Sequence, residues 1–214
     1  MKLNVNRWTF RAALAALGLA AGLTAAPSFP SGTYTLDLAH SRVGFEVTHL
    51  MVSTVEGSFK KAEAQIVLDK DPAKSSVTAT VDVASVDTGN ERRDEHLRSG
   101  DFFDAAKYPT MTFKSRKFEL KENGKLSVSG DLTLRGVTKP VVFEGRYRGA
   151  VADGFGNEKV GASLRATINR KDFGMTWSKV IEAGPVVSDE VDIILNIEAG
   201  RPLSAAQTSK NKKK

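Results

Sequence analysis

No cysteine occurs anywhere in the 214 residues, which excludes disulfides, a thiolate metal centre and a lipid anchor attached through a cysteine. The chain is therefore indifferent to an oxidising compartment. Histidine is nearly as scarce: His40, His49 and His96 are the only three. A zinc site would need these with carboxylates, and no two histidines stand at the i, i+4 spacing that sets two ligands on one helical turn. His40 lies at a strand end between Asp37 and Ser41, where turn capping accounts for both neighbours, and His49 lies at a strand-to-loop exit. There is no G-x-S-x-G elbow for a nucleophile, and Gly154-Phe155-Gly156 leads into a strand rather than a helix, so it reads as a turn. No catalytic constellation, metal or cofactor is expected.

Long hydrophobic runs are also missing, apart from residues 12–23, a stretch of Ala, Leu and Gly too short for the ~20 residues of a membrane span. With Lys2, Arg7 and Arg11 before it and Thr24, Ala25 and Ala26 after it, residues 1–28 read as a secretory signal. The expected destination is the periplasm, without stable membrane insertion. A net charge of +6 and a pI of 9.5 suggest nucleic acid at first sight. Residues 1–28 hold +3 of that charge and Lys210, Lys212, Lys213 and Lys214 hold +4, which leaves the body at −1. The basicity sits in two appendages, so nucleic acid is not the expected partner. The organisation predicted is a signal at 1–28, one domain at 29–200 and a disordered basic tail at 201–214.

Within the body, apolar and polar residues alternate. Val77, Ala79, Val81 and Val83 oppose Thr78, Thr80 and Asp82; Leu126, Val128, Leu132 and Leu134 oppose Ser127, Ser129, Asp131 and Thr133. Residues 160–168 and 191–197 repeat the pattern, with Ile194 as an exception. Period two with one apolar face predicts antiparallel sheet, dry on one side and wet on the other. Further strands are expected over 34–37, 42–48, 57–68, 110–114 and 141–148. Turn signals fall at Asp71-Pro72, Asn123-Gly124, Arg135-Gly136 and residues 153–157. Long, hairpin-linked, one-sided strands favour an all-β fold, a single antiparallel up-and-down β-barrel, which leaves no free edge. Periodicity alone does not separate it from a β-sandwich. Small inward residues such as Ala62, Ala64, Ala79 and Ala162 leave volume near the axis, where a barrel of about eight strands can hold one small ligand.

Residues 88–115 form a connection longer than the usual ~2–5 residues of a hairpin. Asn90 is placed to cap a helix over Glu91–Arg98, with Gly100 as its stop. Asp94 with Arg98, and Arg92 with Glu95, have the spacing of intrahelical ion pairs. One reading makes the segment a plug for the barrel end, with Leu97, Phe102 and Phe103 inward. The other has Arg92, Arg93 and His96 receive a polar or anionic headgroup, while Phe102 and Phe103 meet an apolar chain. Phe45, Phe113, Leu132, Phe143 and Leu164 lie on the apolar phase of predicted strands and are expected to line the cavity.

Several short motifs recur in a familiar order. Residues 34–41 (YTLDLAHS) open the domain, followed by 45–49 (FEVTH), 57–59 (GSF), 93–98 (RDEHLR) and 101–104 (DFFD). Residues 108–110 (YPT), 130–140 (GDLTLRGVTKP) and 170–174 (RKDFG) complete the series. From about residue 34 to 198 the chain resembles the YceI-type polyisoprenoid-binding proteins. The resemblance implies a lipocalin-like barrel, usually periplasmic, holding a long isoprenoid or fatty-acid-like amphiphile as a non-catalytic carrier or sequestering protein. Two other readings stay open: a stress-response or interaction module with a side-chain-filled barrel, and a hydrolase or isomerase acting on an apolar substrate. Homodimerisation is left open too.

Overall fold

The computed structural model describes residues 28–181 and 184–203. The expected signal segment up to residue 27 and the lysine tail lie outside the described residues. Three long strands are each broken once. β1 (Gly32–Leu36) and β2 (Arg42–His49) are separated by a 3-10 turn at Leu38–His40. β3 (Ser53–Phe59) and β4 (Ala62–Leu68) are separated at Lys60 and Lys61. β5 (Ser76–Asp82) and β6 (Val86–Asp87) are separated by a turn at Val83–Ser85. The halves pair in the same order around the barrel, β1 with β4 and β2 with β3, then β4 with β5 and β3 with β6, every pairing antiparallel.

The helix α1 (Glu91–Arg98) follows, and then β7 (Thr110–Leu120), β8 (Lys125–Leu134), β9 (Val137–Ala152) and β10 (Asn157–Asn169) pair in succession. A small hairpin of β11 (Val180–Ile181) and β12 (Gly184–Pro185) leads into β13 (Val187–Pro202). β13 pairs with all of β10 on one side and with β2 and then β1 on the other, which closes an antiparallel barrel of 8 strands. The expected fold class is found, and closure removes the sandwich alternative.

The predicted strands at 110–114 and 141–148 run on to Leu120 and over Val137–Ala152. The segment read as one strand over 57–68 starts earlier, at Ser53, and breaks in the middle. The turn before it escaped sequence reading because it contains neither Gly nor Asn. Leu50 (φ 51°) and Met51 (φ 61°) both take the left-handed conformation in the three-residue connection between the paired His49 and Ser53, where Val52 N–H donates to His49 O at 3.2 Å. At the other end of the chain β13 carries the fold through Pro202, beyond the expected limit at 200, because Arg201 binds Glu158.

Both ends of the barrel are covered. At the base, Phe29 is 3% exposed and sets its ring edge-on to Tyr147 (centroids 5.0 Å apart) and Phe118 (6.3 Å). At the opposite end, β6 turns away from β7 and α1 occupies the gap. Asn90 caps α1 as expected, accepting from Arg93 N–H at 3.1 Å. The helix stops at Ser99, whose N–H donates to His96 O, and the left-handed residue of the following loop is Asp104 (φ 52°), so Gly100 is not the stop. The expected ion pairs are replaced as well. Asp94 is 4% exposed and accepts from Thr88 N–H at 3.0 Å and Thr88 Oγ1 at 2.5 Å, whereas Arg98 pairs with Glu91. Among the described residues no ion pair joins Arg92 to Glu95. A buried carboxylate takes fixed local donors before a mobile surface partner, because burial makes unmet acceptors costly.

Candidate functional site: an apolar barrel cavity

A cavity of about 440 Å³ runs along the barrel axis from Phe29 at the base to Trp177 at the mouth. Its walls are almost wholly apolar, built from the inward phase of every long strand. Phe45, Phe113, Leu132, Phe143 and Leu164 all line it, and so do Phe102 and Phe103 from the loop after α1. Phe113 packs edge-on to Phe143 at 5.2 Å. Its ring has room because Gly130 stands opposite; a Cβ there would come within 2.6 Å of the Phe113 ring and 2.4 Å of Lys114 O.

Phe102 and Phe103 diverge. Phe103 turns into the core against Phe59 (5.6 Å) and Phe45 (6.4 Å), while Phe102 lies at the mouth against His96 (5.0 Å) and Trp177 (5.3 Å). Their loop is tied down on two sides. Phe103 N–H donates to Leu97 O and Ala105 N–H to Arg98 O, and Arg135 reaches from the β8–β9 turn to the carbonyls of Gly100 and Phe102.

Of the residues expected to receive a headgroup, Arg93 and His96 line the cavity and Arg92 does not; it is exposed on α1, one helical position away from the inward stripe. Arg93 donates through Nε to Thr88 Oγ1 (2.7 Å) and through Nη2 to Thr88 O (2.9 Å). His96 Nε2 lies 2.9 Å from Asp101 Oδ2, and its ring meets Trp177 edge-on at 5.1 Å.

Sequence reading missed the strap that follows β10. Met175 is buried against the core and Trp177 lines the mouth, both held by Arg170, itself 2% exposed. Arg170 donates to Met175 O (2.7 Å), Trp177 O (2.6 Å), Ser188 O (2.9 Å) and Asp189 Oδ1 (2.9 Å). The Ser188 carbonyl is available because β13 bulges out of register with β2 between Val187 and Val191. The available signal was the Arg170 and Trp177 pair flanking Gly174, an aromatic in a segment with no period-two pattern.

Polar groups concentrate at the base. Tyr34 donates to Glu158 Oε2 at 2.6 Å, and Arg201 reaches the same oxygen through Nη2 (2.6 Å) and Nε (2.9 Å) while lying over the Tyr34 ring. Burial pushes Glu158 up, but the bonds from Tyr34 and Arg201 outweigh it and hold the carboxyl below its usual range. Tyr147 lines the cavity next to this cluster, and its hydroxyl is buried with no hydrogen-bond partner in the protein. Burial, with the nearby Glu158 charge, pushes that phenol up to about 12.

Outside the barrel, Asp37, His40 and Glu198 bring three potential metal ligands together, the one such group among the described residues. Lys159 Nζ stands 2.6 Å from Asp37 Oδ2 and 3.2 Å from Glu198 Oε1, so an ammonium already neutralises the carboxylates. This group carries no metal argument.

The YceI-like domain model matches residues 34–199. The YceI protein of Escherichia coli O157:H7 is 38% identical over 188 residues, covering 86% of this chain and 95% of that protein. The crystal structure of a Campylobacter jejuni YceI protein superposes with a TM-score of 0.63 at 40% identity, over 78% of this chain and 97% of the other. A polyisoprenoid-binding domain from Saccharophagus degradans, implicated in plant cell wall breakdown, superposes with a TM-score of 0.58 over 79% of this chain and 98% of the other; at 18% identity this likeness concerns the fold alone. Matched along its whole barrel by the family model and by relatives of its own length, the chain belongs to the YceI-like family.

Proposed function

We propose that the protein is a periplasmic carrier or sequestering protein for a long-chain isoprenoid or similar amphiphilic lipid, and that it performs no chemistry on its cargo. The observation that carries this reading is the continuous apolar cavity of about 440 Å³, within the ~300–1,000 Å³ usual for small-molecule sites. Each buried CH₂ contributes roughly 0.8 kcal/mol, so affinity comes from the tail and is tolerant of its branching.

The apolar lining from Phe29 to Trp177 supports a long-chain apolar ligand, and the apolar stretch at residues 12–23 supports export. The almost wholly apolar lining supports the non-catalytic reading, and the polar side chains at the mouth are engaged within the protein: Arg93 with Thr88, Arg170 with backbone carbonyls and Asp189, and His96 with Asp101.

Native mass spectrometry of the protein purified from its own cell envelope, followed by solvent extraction, tests the reading. A stoichiometric adduct that releases an isoprenoid or acyl lipid is expected. A bare mass that persists after incubation with isoprenoid and fatty-acid mixtures would overturn it and favour the interaction module. The same spectrum separates monomer from homodimer.

A further inference from the structure

Phe155 is 92% exposed, the highest value among the large apolar side chains of the described residues, and it stands at the tip of the β9–β10 hairpin. That hairpin overhangs its neighbour. β8 starts at Lys125, opposite Arg146, whereas β9 runs on to Ala152 paired with β10 alone. Val151, 65% exposed, lies on the same overhang. The tip is braced from within. Asp153 Oδ1 accepts from Phe155 N–H (2.7 Å) and Asn157 N–H (3.0 Å), and Oδ2 accepts from Asn157 Nδ2 (2.8 Å), so the one acid of the turn has both oxygens occupied inside it. Gly154 (φ 78°) and Gly156 (φ 96°) supply the positive φ that side chains disfavour, and nothing lies within 4 Å of where a Cβ would stand on either. The fold holds an aromatic ring out in solvent on a fixed turn, although burying a phenylalanine is favourable.

The chain leaves the barrel at the same point. Leu203 N–H donates to Gly156 O at 2.8 Å. Residues 204–214 carry Lys210, Lys212, Lys213 and Lys214 and no acidic side chain. Lys210 is seven residues past Leu203, at most ~25 Å along an extended chain. An apolar group and a polybasic run within reach of each other are the two signals that together hold a protein at an anionic membrane surface, where one alone binds marginally. A protein partner fits less well. One phenylalanine offers about 150–250 Å², against ~800 Å² per partner in a stable protein interface.

We infer that the β9–β10 turn, with the lysines that follow Leu203, docks the protein peripherally on a bilayer bearing anionic phospholipid headgroups, with Phe155 entering between headgroups and acyl chains. The turn stands at the base, the end opposite Trp177, so the docked protein keeps its cavity mouth clear of that bilayer. The inference does not rest on the carrier reading, because Phe155 lies outside the cavity lining.

Co-sedimentation with sucrose-loaded vesicles tests it, on the protein purified from its own cell envelope. One vesicle is phosphatidylcholine alone; the other contains phosphatidylglycerol as well. The wild type should bind the phosphatidylglycerol vesicles about tenfold or more tightly than the neutral ones and be released by high salt. Lys210→Ser combined with Lys212→Ser, Lys213→Ser and Lys214→Ser should remove that difference. Phe155→Ser should weaken binding to the anionic vesicles about tenfold, with circular dichroism unchanged because the ring is exposed. Wild-type binding that ignores headgroup charge, or anionic-vesicle binding that Phe155→Ser leaves untouched, would overturn the inference. So would a wild type that binds neither vesicle; a dimer mass lost in Phe155→Ser would then assign the turn to a second copy of the chain. None of these outcomes bears on whether a lipid occupies the cavity, which native mass spectrometry decides separately.

Discussion

Arg170 donates a hydrogen bond to the backbone carbonyl of Trp177 at 2.6 Å, and through it a buried cation fixes the aromatic ring at the mouth of the barrel. The same guanidinium satisfies Met175 O and Ser188 O, so removing it leaves several inward carbonyls without donors. Arg170→Ala should cost about 3 kcal/mol, read as a lower urea midpoint. In the carrier reading it should also speed lipid exchange, measured by stopped-flow transfer to an acceptor vesicle.

The base depends on Phe29. Phe29→Ala removes the ring that packs edge-on to Tyr147 and Phe118 and should destabilise the fold by about 3 kcal/mol. Calorimetry checks the loss of stability. A dye too long for the intact cavity should now bind, because the base is no longer closed.

At the β2–β3 turn, Leu50 and Met51 occupy left-handed conformations that ordinarily favour Asn and Gly, and Met51 is 64% exposed. Replacing the pair by Leu50→Asn with Met51→Gly should stabilise the protein by about 1 kcal/mol. Chemical denaturation measures the gain, and an unchanged midpoint would mean that the side chains have compensating contacts.

Phe113 projects into the middle of the cavity beside Phe143. A carboxylate there has no cation to pair with and resists desolvation. Phe113→Asp should abolish lipid co-purification while circular dichroism still reports the barrel. Unchanged lipid content would remove Phe113 from the binding surface.

The Lys159 and His40 hydrogen bonds lower the Asp37 carboxyl from 3.8 to about 2. A depressed carboxylate contributes stability that is present above its unfolded-state value and lost as pH falls through the folded one. Asp37→Asn should therefore lower stability at neutral pH. Its deficit should shrink between about pH 4 and pH 2, followed by urea titration at each pH.

The barrel was legible because its signal is local. Alternation in residues 126–134 and 160–168 reports which side chains face the axis, whatever the strands pair with, and the motif series from residue 34 onwards pointed to the same family. The lining was legible for the same reason: Phe45, Phe113, Leu132, Phe143 and Leu164 all follow from the apolar phase of a strand. What escaped lay in segments without a period. The β2–β3 turn uses Leu50 and Met51 in place of turn residues, Asp94 is buried against Thr88 although its spacing to Arg98 reads as a surface ion pair, and the strap bearing Trp177 has no repeating pattern.

The amino-acid sequence by itself determined the inward and outward faces, the cap at Asn90 and the absence of thiol chemistry, since each depends on residues within a few positions of one another. Only the tertiary structure decided that the strands close into a barrel, that Arg170 anchors the mouth, and that Tyr147 stands unpaired at the base. Each of these joins groups distant along the chain. β13 meets both β10 and β1, Arg170 meets Ser188, and the surroundings of Tyr147 include Phe29 and Glu158. Whether a buried polar group is satisfied depends on every neighbour the fold brings to it, and no short stretch of sequence contains those neighbours.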